Sequence, residues 1–136
     1  MKSTPRNKAL NAIQKLARVA AADDNGQCQC VSCGAYYHWK DTDGGHYIPK
    51  GASSYWALRI ENVHPQCKGC NGFGMKHGTA AQRYALWMAD YYGRDFVDQM
   101  EADKKKEVKI YKKDYEEMLK DFNQQIKYHL DRMGAV

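Results

Sequence analysis

The chain contains no run of eighteen apolar residues, the length that would mark a membrane-spanning helix. It also shows no secretory-signal pattern after Met1, so it reads as a soluble protein of the cytoplasm with no membrane partner. Phenylalanine is scarce: three Phe stand beside ten Tyr and three Trp. Tyr and Trp couple a flat apolar face to a polar handle, which suits wet interfaces and nucleotide surfaces. With 136 residues there is room for one domain, or for one small core with a helical appendage. Within residues 27–78 no apolar segment is long enough to bury a conventional core. A bound metal is expected to supply the missing stability there.

Acids are sparse early in the chain. Residues 1–83 carry eleven Lys or Arg against five acids (Asp23, Asp24, Asp41, Asp43, Glu61), a net of +6, whereas residues 101–136 carry nine against eight. A basic half attracts phosphate-rich partners through counterion release, although a solubilising surface gives the same composition.

Local signals divide the chain into three. Ser3 or Thr4 before Pro5 starts a basic helix whose apolar positions are Leu10, Ile13, Leu16, Ala17 and Ala20, and Asp23-Asp24-Asn25-Gly26 ends it. Residues 27–78 are rich in Gly, Cys, His and aromatics. Short strand pieces are expected around Tyr36–Trp39, His46–Ile48 and Ala57–Ile60, with Asp43-Gly44-Gly45 as a turn. From Thr79 the spacing is helical: one helix to Gly93, a short one over 95–103, and a long one over 105–133. The last carries a stripe from Val108 through Tyr111, Tyr115, Met118, Leu119, Phe122, Ile126 and Leu130 to Met133, and it packs on the chain or on a second copy.

An even number of cysteines is missing as well. Of the five, four form two C-x-x-C pairs, Cys30/Cys33 and Cys67/Cys70, separated by 33 residues. In a chain without a secretion signal, that spacing argues for a metal over disulfides. Two such knuckles can set four thiolates around one Zn2+ and leave no open position, so the ion is expected to be structural. A redox pair or an iron–sulfur site are the competing readings. Cys28 is left as a free thiol or a weak alternate ligand.

Between the knuckles lie Asp43-Gly44-Gly45-His46 and Glu61-Asn62-Val63-His64-Pro65, and Asn71 follows Cys70 directly. A metal-dependent nuclease needs a base for water, a hard cation on the phosphate, and oxygen ligands for that cation. His46 suits the first role, and Asp43 and Asn71 the third. His46 could instead cap a turn, and His64 is expected to hydrogen-bond behind the zinc ligands. His38 and His129 read as surface or packing residues. Lys50, Arg59, Lys68, Lys76 and Arg83 could hold phosphates or be solvated charges. Tyr36, Tyr37, Trp39, Tyr47, Tyr55 and Trp56 could stack on unpaired bases or pack around the zinc.

The order Cys-x-x-Cys, Gly-His, Asn-x-x-Pro-x-Cys-x-x-Cys resembles the zinc-stapled branch of the HNH, or ββα-metal, nucleases. More closely, D-G-G-H-Y-I-P-K-G, L-R-x-E-N-V-H-P-Q-C-x-x-C-N and a helix ending in Y-G are similar to the NinG/Rap family of lambdoid-phage recombination endonucleases. The likeness covers about residues 30–100. It implies His46 as general base, Asn62 as the residue that braces the hairpin and orients that base, and Asn71 as a ligand of one Mg2+ or Mn2+. The placement of Asn71 is also similar to that in the endonuclease VII junction resolvases. Where those enzymes have Asp directly before the histidine, this chain has Gly45, and the acid is Asp43. Where the family has Gly-Asn after the second knuckle, this chain reads His77-Gly78-Thr79.

The expectation is an α+β fold: an N-terminal basic helix (1–26), a zinc-stapled ββα-metal core (27–78) and a helical region (79–136) through which two copies could dimerise. The expected activity is metal-dependent hydrolysis of phosphodiesters in branched DNA, Holliday-junction or D-loop-like, by a phage- or prophage-encoded protein in a bacterial cell. A non-catalytic zinc-ribbon DNA-binding module, or an HNH enzyme acting on ordinary duplex, are the alternatives.

Overall fold

The computed structural model describes residues 3–134. Helix α1 (Pro5–Ala21) starts as its sequence signals require: the Thr4 hydroxyl accepts the Asn7 N–H at 3.1 Å, and Pro5 sits where no N–H is needed. Its buried face is Ala9, Leu10, Ala12, Ile13, Leu16, Ala17 and Val19. The chain then turns on Asp23, whose carboxylate accepts the N–H groups of Asn25 and Gln27 at 2.9 and 3.0 Å.

Two small antiparallel sheets follow. Strand β1 (Gln27–Gln29) pairs with β2 (Tyr36–His38), and β3 (Thr42–His46) pairs with β4 (Val63–Cys67), Asp43 opposite Gln66 and Gly45 opposite His64. Two expected strand pieces are therefore displaced. The piece expected at His46–Ile48 lies earlier, with only His46 in a strand, because Asp43-Gly44-Gly45 is not a turn but the middle of β3; residues 57–60 form loop, ending in a 3-10 turn at Ile60–Asn62. The glycines serve close approach instead of reversal. A Cβ on Gly44 would lie 2.6 Å from the Gln14 backbone of α1, and one on Gly45 would collide with Gln66 Oε1.

After β4 the chain turns helical through a π-type turn (Cys70–Gly74) into α2 (Met75–His77), then α3 (Ala80–Tyr92), α4 (Arg94–Asp103) and α5 (Lys112–Arg132). Thr79 stands at the α3 N-cap, but its side chain makes no capping bond. The last helix begins seven residues later than the expected Lys105. Lys106 closes on Asp103 at 2.8 Å, the Val108 N–H is spent on Ser54 Oγ at 3.2 Å, and Asp114 takes the Tyr111 N–H at 2.9 Å. Those bonds, two local and one to the distant Ser54, compete with helix, so Val108 lies outside the stripe.

Two apolar clusters hold the fold. In the first, Ile13, Leu16 and Ala17 of α1 meet Cys28, Trp39, Val63 and, from α5, Phe122 and Ile126, with Met118, Leu119, Leu130 and Met133 packed alongside. Arg132 finishes the α1–α5 pair by donating to the Val19 and Ala22 carbonyls at 3.1 and 2.6 Å, which satisfies carbonyls at the end of α1. The stripe from Met118 to Met133 is thus covered by its own chain, while Tyr111 before the helix is exposed. The second cluster joins Val31, Ile48 and Trp56 to Tyr84, Met88 and Met100. The three sequence segments accordingly interlock: the first and last pack together, and the middle shares a core with α3 and α4. Among the described residues no helix is long and apolar enough to cross a membrane.

Candidate metal centre and nucleic-acid interface

The two knuckles are brought together by backbone. The Val31 N–H donates to the Pro65 carbonyl at 3.0 Å, which ties the first knuckle to β4. Inside each knuckle a sulfur accepts an N–H at 3.4 Å, Cys30 from Cys33 and Cys67 from Cys70. All four sulfurs lie within 4.8 Å of one another, and Cys33 and Cys67 are 3.9 Å apart. A tetrahedron with Zn–S bonds of about 2.3 Å has sulfur–sulfur edges of about 3.8 Å, so the cluster fits a tetrathiolate ion. Crowding sets the thiols apart. Against the burial that raises it, the Cys70 N–H and neighbouring thiols bring Cys67 down to about 7, while burial and the same neighbours push Cys70 up. Cys28 takes no part: it is buried against Thr42, 3.8 Å from its hydroxyl, and burial raises its thiol. Among the described residues this is the sole grouping of three or more His, Cys, Asp or Glu close enough to hold an ion.

His46 ends β3, half buried, with Nε2 2.9 Å from the Ala57 carbonyl. A carbonyl only accepts, so Nε2 carries the proton and Nδ1 keeps its lone pair. Burial lowers the His46 pKa; the Ala57 carbonyl opposes this, and Lys50 and Arg6 add to it. The ring is therefore a neutral base flanked by cations. Asn62, fully buried, pins the loop that carries this carbonyl. Its Nδ2 donates to the Ile48 and Trp56 carbonyls at 2.9 and 3.2 Å, and its Oδ1 accepts the Ile48 N–H at 2.8 Å. One side chain thus clamps both arms of the 47–62 loop, immediately beside Ala57.

Asp43 and Asn71 also meet. Asp43 Oδ2 accepts Asn71 Nδ2 at 3.1 Å, and Oδ1 accepts Lys68 Nζ at 2.9 Å. They line a polar cleft of about 270 Å³ with Gln14, Arg18, Lys40 and Thr42. His46 is not among them. Three residues along an extended strand separate it from Asp43 by about 10 Å, and an odd offset points the two side chains to opposite faces. The single constellation expected of His46, Asp43 and Asn71 is therefore two stations along β3.

The remaining sequence candidates divide by burial. Lys50, Arg59, Lys68, Lys76 and Arg83 are all exposed, and Arg59 lies over the Tyr55 ring, 3.9 Å from its centroid. Trp39 and Trp56 are core residues, Trp56 donating its indole N–H to the Met100 carbonyl at 3.1 Å, whereas Tyr36 is open to solvent. Tyr47 and Tyr55 are partly buried in the second cluster, and the Tyr37 hydroxyl faces the Cys67 sulfur, which raises its phenol. His77 is exposed, its ring tilted against that of Phe73 with centroids 5.0 Å apart.

His64 does not support the zinc ligands. It lies in a buried relay in which the Tyr84 hydroxyl donates to the Gly45 carbonyl at 2.8 Å, so it must accept from His64 Nδ1 at 2.9 Å. His64 Nε2 then accepts the Tyr92 hydroxyl at 2.8 Å. Burial holds the His64 pKa at about 4. Tyr84 and Tyr92 are fourteen residues and more beyond the second knuckle, and only their helical spacing, not their hydroxyls, shows in the sequence.

The family model described as Bacteriophage Lambda NinG protein matches residues 2–132. No curated protein and no solved structure matches the chain significantly. The match runs from the first turn of α1 to the end of α5, so it takes in the cysteine cluster, the β3–β4 hairpin and the helices that brace it. The chain belongs to the bacteriophage NinG family.

Proposed function

We propose that the chain is a metal-dependent DNA endonuclease of the HNH type, with His46 as general base and branched recombination intermediates as substrate. The observation that carries the reading is the His46 clamp: Nε2 is bound to the Ala57 carbonyl, Asn62 pins that loop, and Nδ1 is left with a free lone pair on a ring that burial keeps neutral. Nδ1 takes the proton of a water that attacks the phosphorus in line, and the bond to the 3′ oxygen breaks, that oxygen taking a proton from solvent water. The products carry 5′-phosphate and 3′-hydroxyl ends. Lys50 and Arg6, whose charges act on His46, offset the phosphate that must sit there.

Four thiolates at the spacing of the cysteine cluster would hold Zn2+, which braces the hairpin and takes no part in the reaction. Asp43 and Asn71 offer hard oxygens of the kind Mg2+ or Mn2+ prefers, and such an ion would supply charge neutralisation on the phosphate. Lys68 now holds the Asp43 oxygen and would have to leave. The preference for branched DNA rests on the resemblance to recombination endonucleases. Two copies would supply paired sites for a symmetric cut, meeting through the outward face of α5, where Tyr128 is exposed, since its inner face is spent on α1. The place of action is the cytoplasm of the bacterial host.

The rival reading, a DNA-binding zinc module without catalysis, draws on the distance between His46 and Asp43 and on Lys68 at the proposed ion position. Cleavage of a four-way junction and a matched linear duplex in Mg2+ and in Mn2+ separates them. Preferential cutting of the junction is expected. Binding without cutting favours the module, and equal cutting of both removes the branch specificity.

A further inference from the structure

The cleft at the far end of β3 from His46 is charged for an anion. Its lining carries Arg18, Lys40 and Lys68 against Asp43 alone. Beside it, Lys15 Nζ, Arg18 Cζ and Lys40 Nζ all lie within 5.8 Å of one ring centroid, that of the buried Trp39. Like charges gathered on one ring repel one another. Among the described residues none of these three cations forms an ion pair, the one acid of the cleft being paired with Lys68. Arg18 is held before any ligand arrives: Nε donates to the Gln14 carbonyl and Nη1 to the Trp39 and Thr42 carbonyls, each at 3.3 Å. Its Nη2 has no protein acceptor. A pre-set guanidinium with one free edge, two lysine ammonium groups and a polar floor match a phosphodiester oxygen pair.

We propose that Lys15, Arg18 and Lys40, gathered on Trp39, form a metal-independent seat for one backbone phosphate of the DNA, remote from the scissile phosphate beside His46. The proposal rests on the reading of DNA as substrate and assigns the contact that sets the strand along β3. The seat reaches β3 at Thr42, whose carbonyl Arg18 holds, four residues and about 13 Å of extended strand from His46, so the phosphate it binds is not the scissile one. Neither Lys15 nor Lys40 touches reacting atoms. They position the strand.

The test is equilibrium binding of a fluorescein-labelled four-way junction and a linear duplex, followed by anisotropy across a potassium chloride series with no divalent ion added. One phosphate contact contributes about 0.9 to the slope of log K against log salt concentration. Lys15→Gln/Lys40→Gln is expected to weaken binding and to reduce that slope by about one contact, not two, because both cations serve one phosphate. Lys113→Gln/Lys120→Gln, which removes two exposed charges from α5, is expected to leave the slope unchanged. Zinc content and far-UV circular dichroism check that each variant folds. An unchanged slope in Lys15→Gln/Lys40→Gln, or an equal fall in the α5 variant, overturns the seat and leaves the nuclease reading standing. Absence of DNA binding by the wild type overturns both. Intact binding with no cleavage in Mg2+ removes only the catalytic reading.

Discussion

The β3–β4 hairpin with its knuckles and the α1–α5 pair are held by opposite means. The helical pair is built on apolar burial: Ile13, Leu16 and Ala17 against Phe122 and Ile126, closed by one arginine on two carbonyls. The hairpin region also contributes Trp39, Val63, Ile48 and Trp56 to the apolar clusters, but its site geometry is held by other means. It depends on four sulfurs at metal-site spacing, on the Asn62 clamp and on the His64–Tyr84–Tyr92 relay. Apolar packing tolerates substitution by degrees, because side chains can partly collapse into a gap. A polar clamp fails abruptly, because removing one partner strands the others without water. The region carrying the proposed chemistry is thus the one whose geometry is set by directional bonds, and the helical pair is its rigid support.

Loss of the metal site should break the comparison most severely. Structural zinc in small domains supplies on the order of 10 kcal/mol of folding free energy. Cys67→Ser should therefore lose bound zinc and disorder the hairpin, while the α1–α5 pair retains part of its helical signal. Metal analysis and far-UV circular dichroism read the two outcomes separately, and full retention of zinc would contradict the tetrathiolate assignment.

Phe122→Ala and Asn62→Ala are the matched pair, one from each region. Phe122→Ala should cost about 3 kcal/mol, the lower end for a buried aromatic, with zinc content and site chemistry preserved. Asn62→Ala strands buried Ile48 and Trp56 groups at roughly 1–3 kcal/mol each, and in addition frees the Ala57 carbonyl from its register with His46. Urea midpoints give the energies. Asn62→Ala should also lower cleavage beyond its effect on stability, and equal cleavage losses in the two variants would erase the distinction.

A smaller effect follows from pH. His64 has a folded pKa of about 4, below its unfolded value of about 6.5. The fold therefore favours the neutral ring: its contribution is complete above about 6.5 and is lost as pH falls toward 4. Between pH 7 and pH 5 that single group should remove about 2 kcal/mol. His64→Gln should flatten the urea midpoint over this window relative to the wild type, whereas an identical pH dependence would show that the relay does not carry it. The smallest change is expected from Lys127→Ala, which breaks an exposed 2.7 Å pair with Asp131 and should shift stability by less than about 1 kcal/mol.

Legibility in the sequence followed the same division. Helix α1 was readable because its cap, proline and apolar period are all local. So were the two knuckles, whose spacing encodes one metal-binding unit each. The Asp43-Gly44-Gly45 segment was not, since a glycine pair signals a turn unless one knows that Gln14 and Gln66 press on it from outside. The start of α5 was missed for a related reason: Val108 fits the helical stripe, but its N–H is claimed by Ser54, far away in sequence. His46, Asn62, Asp43 and Asn71 stood out as residue types. That His46 and the Asp43–Asn71 pair occupy different stations depends on strand register, which only the β3–β4 pairing reveals. The Trp39 cation cluster joins residues from α1 and the β2–β3 connection, and its sequence trace was limited to a general excess of positive charge.

The most direct measurement of the central claim is the single-turnover rate of junction cleavage by His46→Ala beside the wild type, each with its zinc content measured. Loss of a general base is worth about 10²–10⁴ in rate, so the account predicts a drop of that size with zinc and circular dichroism unchanged. Cleavage by His46→Ala at the wild-type rate, with zinc intact, would contradict it.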